Sequence, residues 1–140
     1  MKKFNLIILL IVLAGIAYSC KEKIFTGDVN CDECYEIKPD SADIIVHVTL
    51  NDENPVVPLV VYRGPVEDND IEYTDTAYGT TYYLYVPVDA KYSVKAKYKS
   101  GNKTIYAVDG DKIKLKRVTD ACSSDCWVIV GGEFFNELKF

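Results

Sequence analysis

Polar and apolar positions alternate most strictly between Thr80 and Lys99. In Thr80–Val88, Tyr82, Leu84 and Val86 share one face. In Lys91–Lys99, Tyr92, Val94, Ala96 and Tyr98 share one face, and Lys91, Ser93, Lys95, Lys97 and Lys99 take the other. A period of two over this length specifies antiparallel β-structure with one dry and one wet face. The same period appears upstream in Ile44, Val46, Val48 and Leu50, and again in Val57, Leu59 and Val61. Pro58 has no N–H to give to a ladder, so it belongs near a sheet edge or a strand start.

Punctuation between these runs is turn chemistry. Asn51-Asp52-Glu53-Asn54-Pro55, Gly64-Pro65 and Ser100-Gly101-Asn102 each separate two strands. Asp109-Gly110 reads as a two-residue hairpin turn between Thr104–Val108 and a strand in which Ile113 and Leu115 point inward. Trp127–Val130 is a last apolar strand broken by Gly131-Gly132, and Glu133–Phe140 suits either a short helix or a further strand. About seven to eight short strands at regular spacing predict an all-β, antiparallel β-sandwich over residues 41–140.

The first nineteen residues stand outside that pattern. Met1-Lys2-Lys3 is a basic start, and Leu6–Ala17 is an apolar run short for a bilayer span. Together with Ala17, Ser19 and Cys20 this reads as a secretory signal peptide. Ala17-Tyr18-Ser19-Cys20 resembles a relaxed lipobox of Bacteroidetes lipoproteins. The resemblance implies cleavage before Cys20, acylation of its sulfur and new N-terminus, and a membrane anchor at the bacterial outer membrane. Residues 20–40 then form a lipidated tether that carries a C-x2-C motif. The middle of the chain is similar to carboxypeptidase-regulatory-like and transthyretin-like modules. The similarity lies in Asp75-x-Ala77-x-Gly79-x-x-Tyr82-x-Leu84-x-Val86-Pro87, then Lys91-Tyr92-x-Val94. It implies a seven-stranded, prealbumin-like or Ig-like sandwich.

Charge narrows the partners. The chain has a formal charge of −5, and signal removal takes away only the bases Lys2 and Lys3. Such a balance argues against general nucleic-acid binding. Thirteen acids lie between Asp28 and Asp75, and nine bases between Lys91 and Arg117. Two solvated faces explain this; a polyanion site on the lysine face is the sharper alternative.

Candidate chemistry is sparse. With Cys20 lipidated, Cys31, Cys34, Cys122 and Cys126 remain, an even count that reads as disulfides in an exported protein. Bridges between the two pairs are favoured over two local loops. A four-cysteine zinc site has tolerable spacing, and a redox C-x-x-C is disfavoured by the flanking Asp32 and Glu33. His47 is the single histidine, which disfavours histidine-rich metal sites and a Ser-His-Asp hydrolase. No catalytic, metal or cofactor site is assigned. Asp68, Asp70, Glu72 and Asp75 read as a solvated acidic loop, with Ca²⁺ binding as the alternative. Tyr83 and Tyr85, with Lys95 and Lys97, form a possible exposed ligand face. Ser41 and Thr76 resemble the Asp-Ser/Thr-Ala O-glycosylation sites of exported Bacteroidetes proteins and are expected on surface loops. The expected role is non-catalytic, a membrane-anchored module engaging an envelope protein or glycan. The alternatives are a structural subunit of an envelope assembly and a small metal-dependent enzyme.

Overall fold

The computed structural model describes residues 29–120 and 122–139, so the signal segment and Cys20 lie outside the described residues. Among the described residues the strands are β1 (Ser41–His47), β2 (Val57–Arg63), β3 (Ile71–Ala77), β4 (Thr81–Pro87), β5 (Lys91–Ser100), β6 (Lys103–Lys112), β7 (Lys114–Val118), β8 (Cys126–Val130) and β9 (Glu133–Phe135). Short 3-10 turns occupy Cys31–Glu33 and Val66–Asp68. The fold is all-β and sandwich-like. One sheet runs β4-β1-β9 and a second β3-β2-β5-β6, while β7 and β8 form a separate two-stranded ribbon.

The alternating pattern explains why these two larger sheets share a core. Ala42, Ile44 and Val46 of β1 and Val86 of β4 point inward from one sheet. Val57, Leu59 and Val61 of β2 and Tyr92, Val94, Ala96 and Tyr98 of β5 meet them from the other. Burying one face of each sheet supplies the main apolar stabilisation, at roughly 25 cal/mol per Å² removed from water. Pro58 sits second in β2, where β3 pairs with it and the β5 ladder has not begun, since that ladder starts at Leu59. A central strand thus tolerates a proline at its start.

Two buried tyrosines carry polar groups into the core and satisfy them there. The Tyr92 hydroxyl donates to the Pro87 carbonyl at 2.9 Å. The Tyr98 hydroxyl donates to the Asn136 carbonyl at 2.7 Å and accepts the Thr49 N–H at 3.1 Å. Asn136, itself fully buried, donates its side-chain amide to the carbonyls of Val94 and Ala107 and its backbone N–H to His47. One residue of the C-terminal segment therefore ties β1, β5 and β6 together.

The expected hairpin at Asp109-Gly110 is overturned. β6 runs unbroken through both residues, with Val94 opposite Asp109 and Ser93 opposite Gly110. A glycine there answers a close approach rather than a turn: a Cβ on Gly110 would lie 3.2 Å from the Ser93 hydroxyl. The aspartates stand in for a strand. Asp109 accepts the Phe135 N–H at 2.7 Å, and Asp111 accepts the Gly132 N–H at 2.7 Å. Their carboxylates close the side of the sandwich, between β6 and the segment that becomes β9.

That segment gives a second difference. Glu133–Phe135 is a strand, and it pairs with β1 in parallel, Ile45 opposite Glu133 and His47 opposite Phe135. The approach passes through Gly131 at φ 82° and Gly132 at φ 92°. A Cβ on Gly131 would lie 2.5 Å from the Lys112 carbonyl oxygen, so only glycine fits both the conformation and the space.

Residues 31–35, expected within a tether, are fixed structure. Cys31 bonds Cys122 and Cys34 bonds Cys126, bridging positions 91 and 92 residues apart. The pairing is thus between the two cysteine pairs. Tyr35 and Trp127 exchange two backbone hydrogen bonds of 2.8 Å each, and the Lys38 ammonium lies 5.2 Å from the Trp127 ring centre. The incoming chain is laid against β8 before β1 starts.

Candidate binding faces

Each large sheet has an outward face, and the two differ in chemistry. On the three-stranded sheet the register sets Tyr85 beside Asp43, Tyr83 beside Ile45 and Glu133, and Thr81 beside His47 and Phe135. Tyr83, Tyr85 and Phe135 are 61, 66 and 50% exposed. His47 stacks on Phe135 with ring centres 5.1 Å apart and planes 15° apart. Its Nε2 lies 2.9 Å from a Glu133 carboxylate oxygen. The face thus carries two aromatic groups, Tyr83 and Tyr85 along β4 and the His47–Phe135 stack on β1 and β9, with Asp43 and Glu133 as polar positions among them. Such rings offer large, rigid contact area.

On the four-stranded sheet the outward rows are Thr74–Val60–Lys95–Val108, then Lys97–Tyr106 and Lys99–Thr104. The half-buried Lys95 places its ammonium 5.0 Å from the Tyr62 ring centre and 5.6 Å from that of Tyr106. Tyr62 is almost fully buried beneath it, and Tyr106 is 54% exposed.

The expected single face of Tyr83, Tyr85, Lys95 and Lys97 is therefore corrected. The tyrosines lie on β4 and the lysines on β5, in different sheets, and both pairs point away from the shared core. Consecutive strands that each alternate correctly still need not be neighbours. Here the short link between β4 and β5 carries the chain from one sheet to the other. Sequence reading missed Tyr62, Tyr106, Phe135 and the partner of His47. The signal for Tyr106 was present: a hairpin turn at Gly101-Asn102 sets Lys97 opposite Tyr106.

Other expected sites fall as follows. Ser41 opens β1 opposite Pro87, and Thr76 lies in β3 opposite Pro58. Both are half-buried strand residues, which corrects their expected placement on loops. Asp75 accepts the Tyr82 hydroxyl at 2.7 Å and the Thr76 N–H at 2.7 Å. These bonds, the tyrosine's first, hold the Asp75 carboxyl below its ordinary range, while burial foremost and then Asp75 push the Tyr82 phenol upward. Among the described residues, the group of potential metal ligands within 4.8 Å of one another is the sulfurs of Cys34, Cys122 and Cys126, all committed to the disulfides. The acidic residues 68–75 do not gather into such a set. A recess of about 520 Å³ is walled by Val29, Asn30, Glu33, Tyr35 and residues 128–131. Among the described residues, no helix is long and apolar enough to cross a membrane.

Comparison with protein families, with curated proteins and with solved structures returned no match.

Proposed function

We propose that this chain is a lipid-anchored lipoprotein of the bacterial outer membrane, and that its prealbumin-like sandwich is a non-catalytic binding module for an envelope protein or glycan. The observation that carries the reading is the set of rings Tyr83, Tyr85 and Phe135, each at least half exposed on one sheet face. Aromatic rings left in water on one sheet face are the composition of a contact surface, and tyrosine is enriched at the energetic centres of interfaces. Seven strands in two facing sheets agree with the count that the transthyretin-like resemblance implies. The lipobox at Ala17–Cys20 supports the anchor.

The test joins both parts. Cys20→Ala is expected to move the protein from the membrane to the soluble fraction. With the anchor intact, Tyr83→Ala/Tyr85→Ala is expected to fold normally and lose at least tenfold in retention by its partner, read by photocrosslinking from position 43, the exposed neighbour of Tyr85, in whole cells and by a glycan array. Unchanged crosslinking and unchanged array binding by the double variant would overturn the face assignment.

A second reading, a structural subunit of an envelope assembly, is favoured by β4 itself. Thr81–Pro87 carries no charged residue and, among the described residues, pairs on one side only, with β1. An uncharged edge strand is a template for another strand. Self-association that Tyr83→Ala/Tyr85→Ala abolishes would place the contact on the face, and self-association that this variant leaves intact would place it on the edge.

A further inference from the structure

The outward face of β5 and β6 carries a cluster of lysines without an ion-pair partner among the described residues; Glu53, beside Lys97 and Lys99, accepts the Gly101 N–H instead. Lys91, Lys95, Lys97 and Lys99 project from β5, and Lys112 stands opposite Lys91 on β6. The ion pairs Lys38–Asp89 and Arg117–Asp125 and the His47–Glu133 hydrogen bond involve none of these five. This holds in a chain with 21 acidic residues and a net charge of −5. The outward positions in register beside them are Val60, Ser93, Thr104, Tyr106, Val108 and Gly110, without a carboxylate. The two aspartates of β6 turn the other way, to the backbone of Gly132 and Phe135.

We infer that this face binds a linear anionic polysaccharide, with carboxylate or sulfate groups on successive sugar rings. Alternate residues of one strand repeat at about 7 Å, twice the rise per residue, so Lys95, Lys97 and Lys99 make a straight row of cations. A row one strand wide follows a single extended chain. Tyr106, half exposed and opposite Lys97, offers a flat ring on which a sugar stacks while the ammonium groups take its anions. Lys95 is held between the Tyr62 and Tyr106 rings, so part of its ordering entropy is already spent before a ligand arrives. The acidic remainder of the surface disfavours a nucleic acid, whose binding needs a wider basic footprint. The site is separate from the tyrosine face and does not depend on the reading given above.

The experiment is calorimetric titration of the Cys20→Ala chain, which cannot be acylated there, with four probes: an oligogalacturonate, a heparin octasaccharide, a neutral dextran oligomer and an oligothymidylate of matched charge. Vesicles containing phosphatidylglycerol form a fifth arm. The expected result is binding of one or both anionic oligosaccharides, none of dextran, and affinity that falls as salt rises. Lys97→Gln/Lys99→Gln alters exposed side chains only. It is expected to weaken binding about tenfold and to lower the logarithmic salt slope by about two, one per lost cation–anion contact. Tyr106→Phe keeps binding and Tyr106→Ala loses it, while Tyr83→Ala/Tyr85→Ala leaves it unchanged. No binding of either anionic oligosaccharide at 50 mM salt, equal or tighter binding of the oligonucleotide or the vesicles, or indifference to the double lysine variant would each overturn the inference.

Discussion

The two larger sheets and the β7–β8 ribbon are held by different means. The sheets share a core in which Ile44, Val46, Val57, Leu59, Val61, Val94, Tyr98 and Phe134 are all but inaccessible. The ribbon buries little: of its strand residues only Val118 and Cys126 are buried. Its anchorage is covalent, through Cys122 and Cys126, with the Tyr35–Trp127 bridge beside them. A short two-stranded ribbon is marginal in water by itself. The contrast shows where alternation is enough to specify structure and where a cross-link takes over.

Removing both disulfides, by serine at all four cysteines, has the largest expected effect. In the chain-entropy treatment the first bridge closes a loop of 91 residues, worth about 4–5 kcal/mol. The second then closes only a short ring between the paired motifs, worth about 2–3 kcal/mol. Losing either bridge alone should therefore cost only the smaller amount, and losing both about 7 kcal/mol. Urea titration of the three variants checks this non-additivity. Hydrogen exchange should show β7 and β8 losing protection before β1, β2 and β5, and simultaneous loss would break the comparison.

Phe134→Ala attacks the other side of the contrast. It empties a fully buried ring site between the sheets and should cost about 3–5 kcal/mol with both disulfides still formed. Tyr98→Phe should cost about 1–3 kcal/mol, because the Thr49 N–H and the Asn136 carbonyl lose their shared hydroxyl in the interior. Denaturant midpoints measure both.

The smallest effect is at the pair of exposed Asp75 and half-buried Tyr82. Asp75 has its folded pKa lowered from 3.8, so its contribution is fully present above about pH 4 and is lost as pH falls through the folded value. Tyr82 has its pKa raised from 10.0, so its contribution is present below pH 10 and is lost as pH rises through the folded value. Tyr82→Phe should thus lower the Tm slightly on the plateau between these limits. The difference from wild type should shrink below pH 4, which thermal melts from pH 7 to pH 2 would show.

How much of this was legible follows the same contrast. β1, β2, β4 and β5 were readable because one face of each is dry, which imposes a period of two. The Gly101-Asn102 turn was readable because a hairpin fixes its own register. The pairing between cysteine motifs agreed with an N-terminal segment pinned beside the last apolar strand. Asp109-Gly110 misled because local turn chemistry and long-range acceptor chemistry use the same residue. Nothing near Asp109 in sequence announces that Phe135 will need its carboxylate. The parallel pairing of β9 was hidden likewise, since three residues show no period. The candidate site was half legible: exposure of Tyr83, Tyr85 and Lys97 follows from alternation, but which of them are neighbours depends on strand order.

The hub at Asn136 bears on how the chain is made. Its N–H reaches His47, and two residues later Leu138 donates to the Thr49 hydroxyl across 89 positions. β1 has β4 as a nearer neighbour, but its other flank waits for β9, a partner far downstream in sequence. Until then the sandwich has an open flank and Asp109 and Asp111 have nothing to hold. Closure of the core thus depends on contacts of long sequence separation, whose loop-closure entropy is spent before the contact repays it.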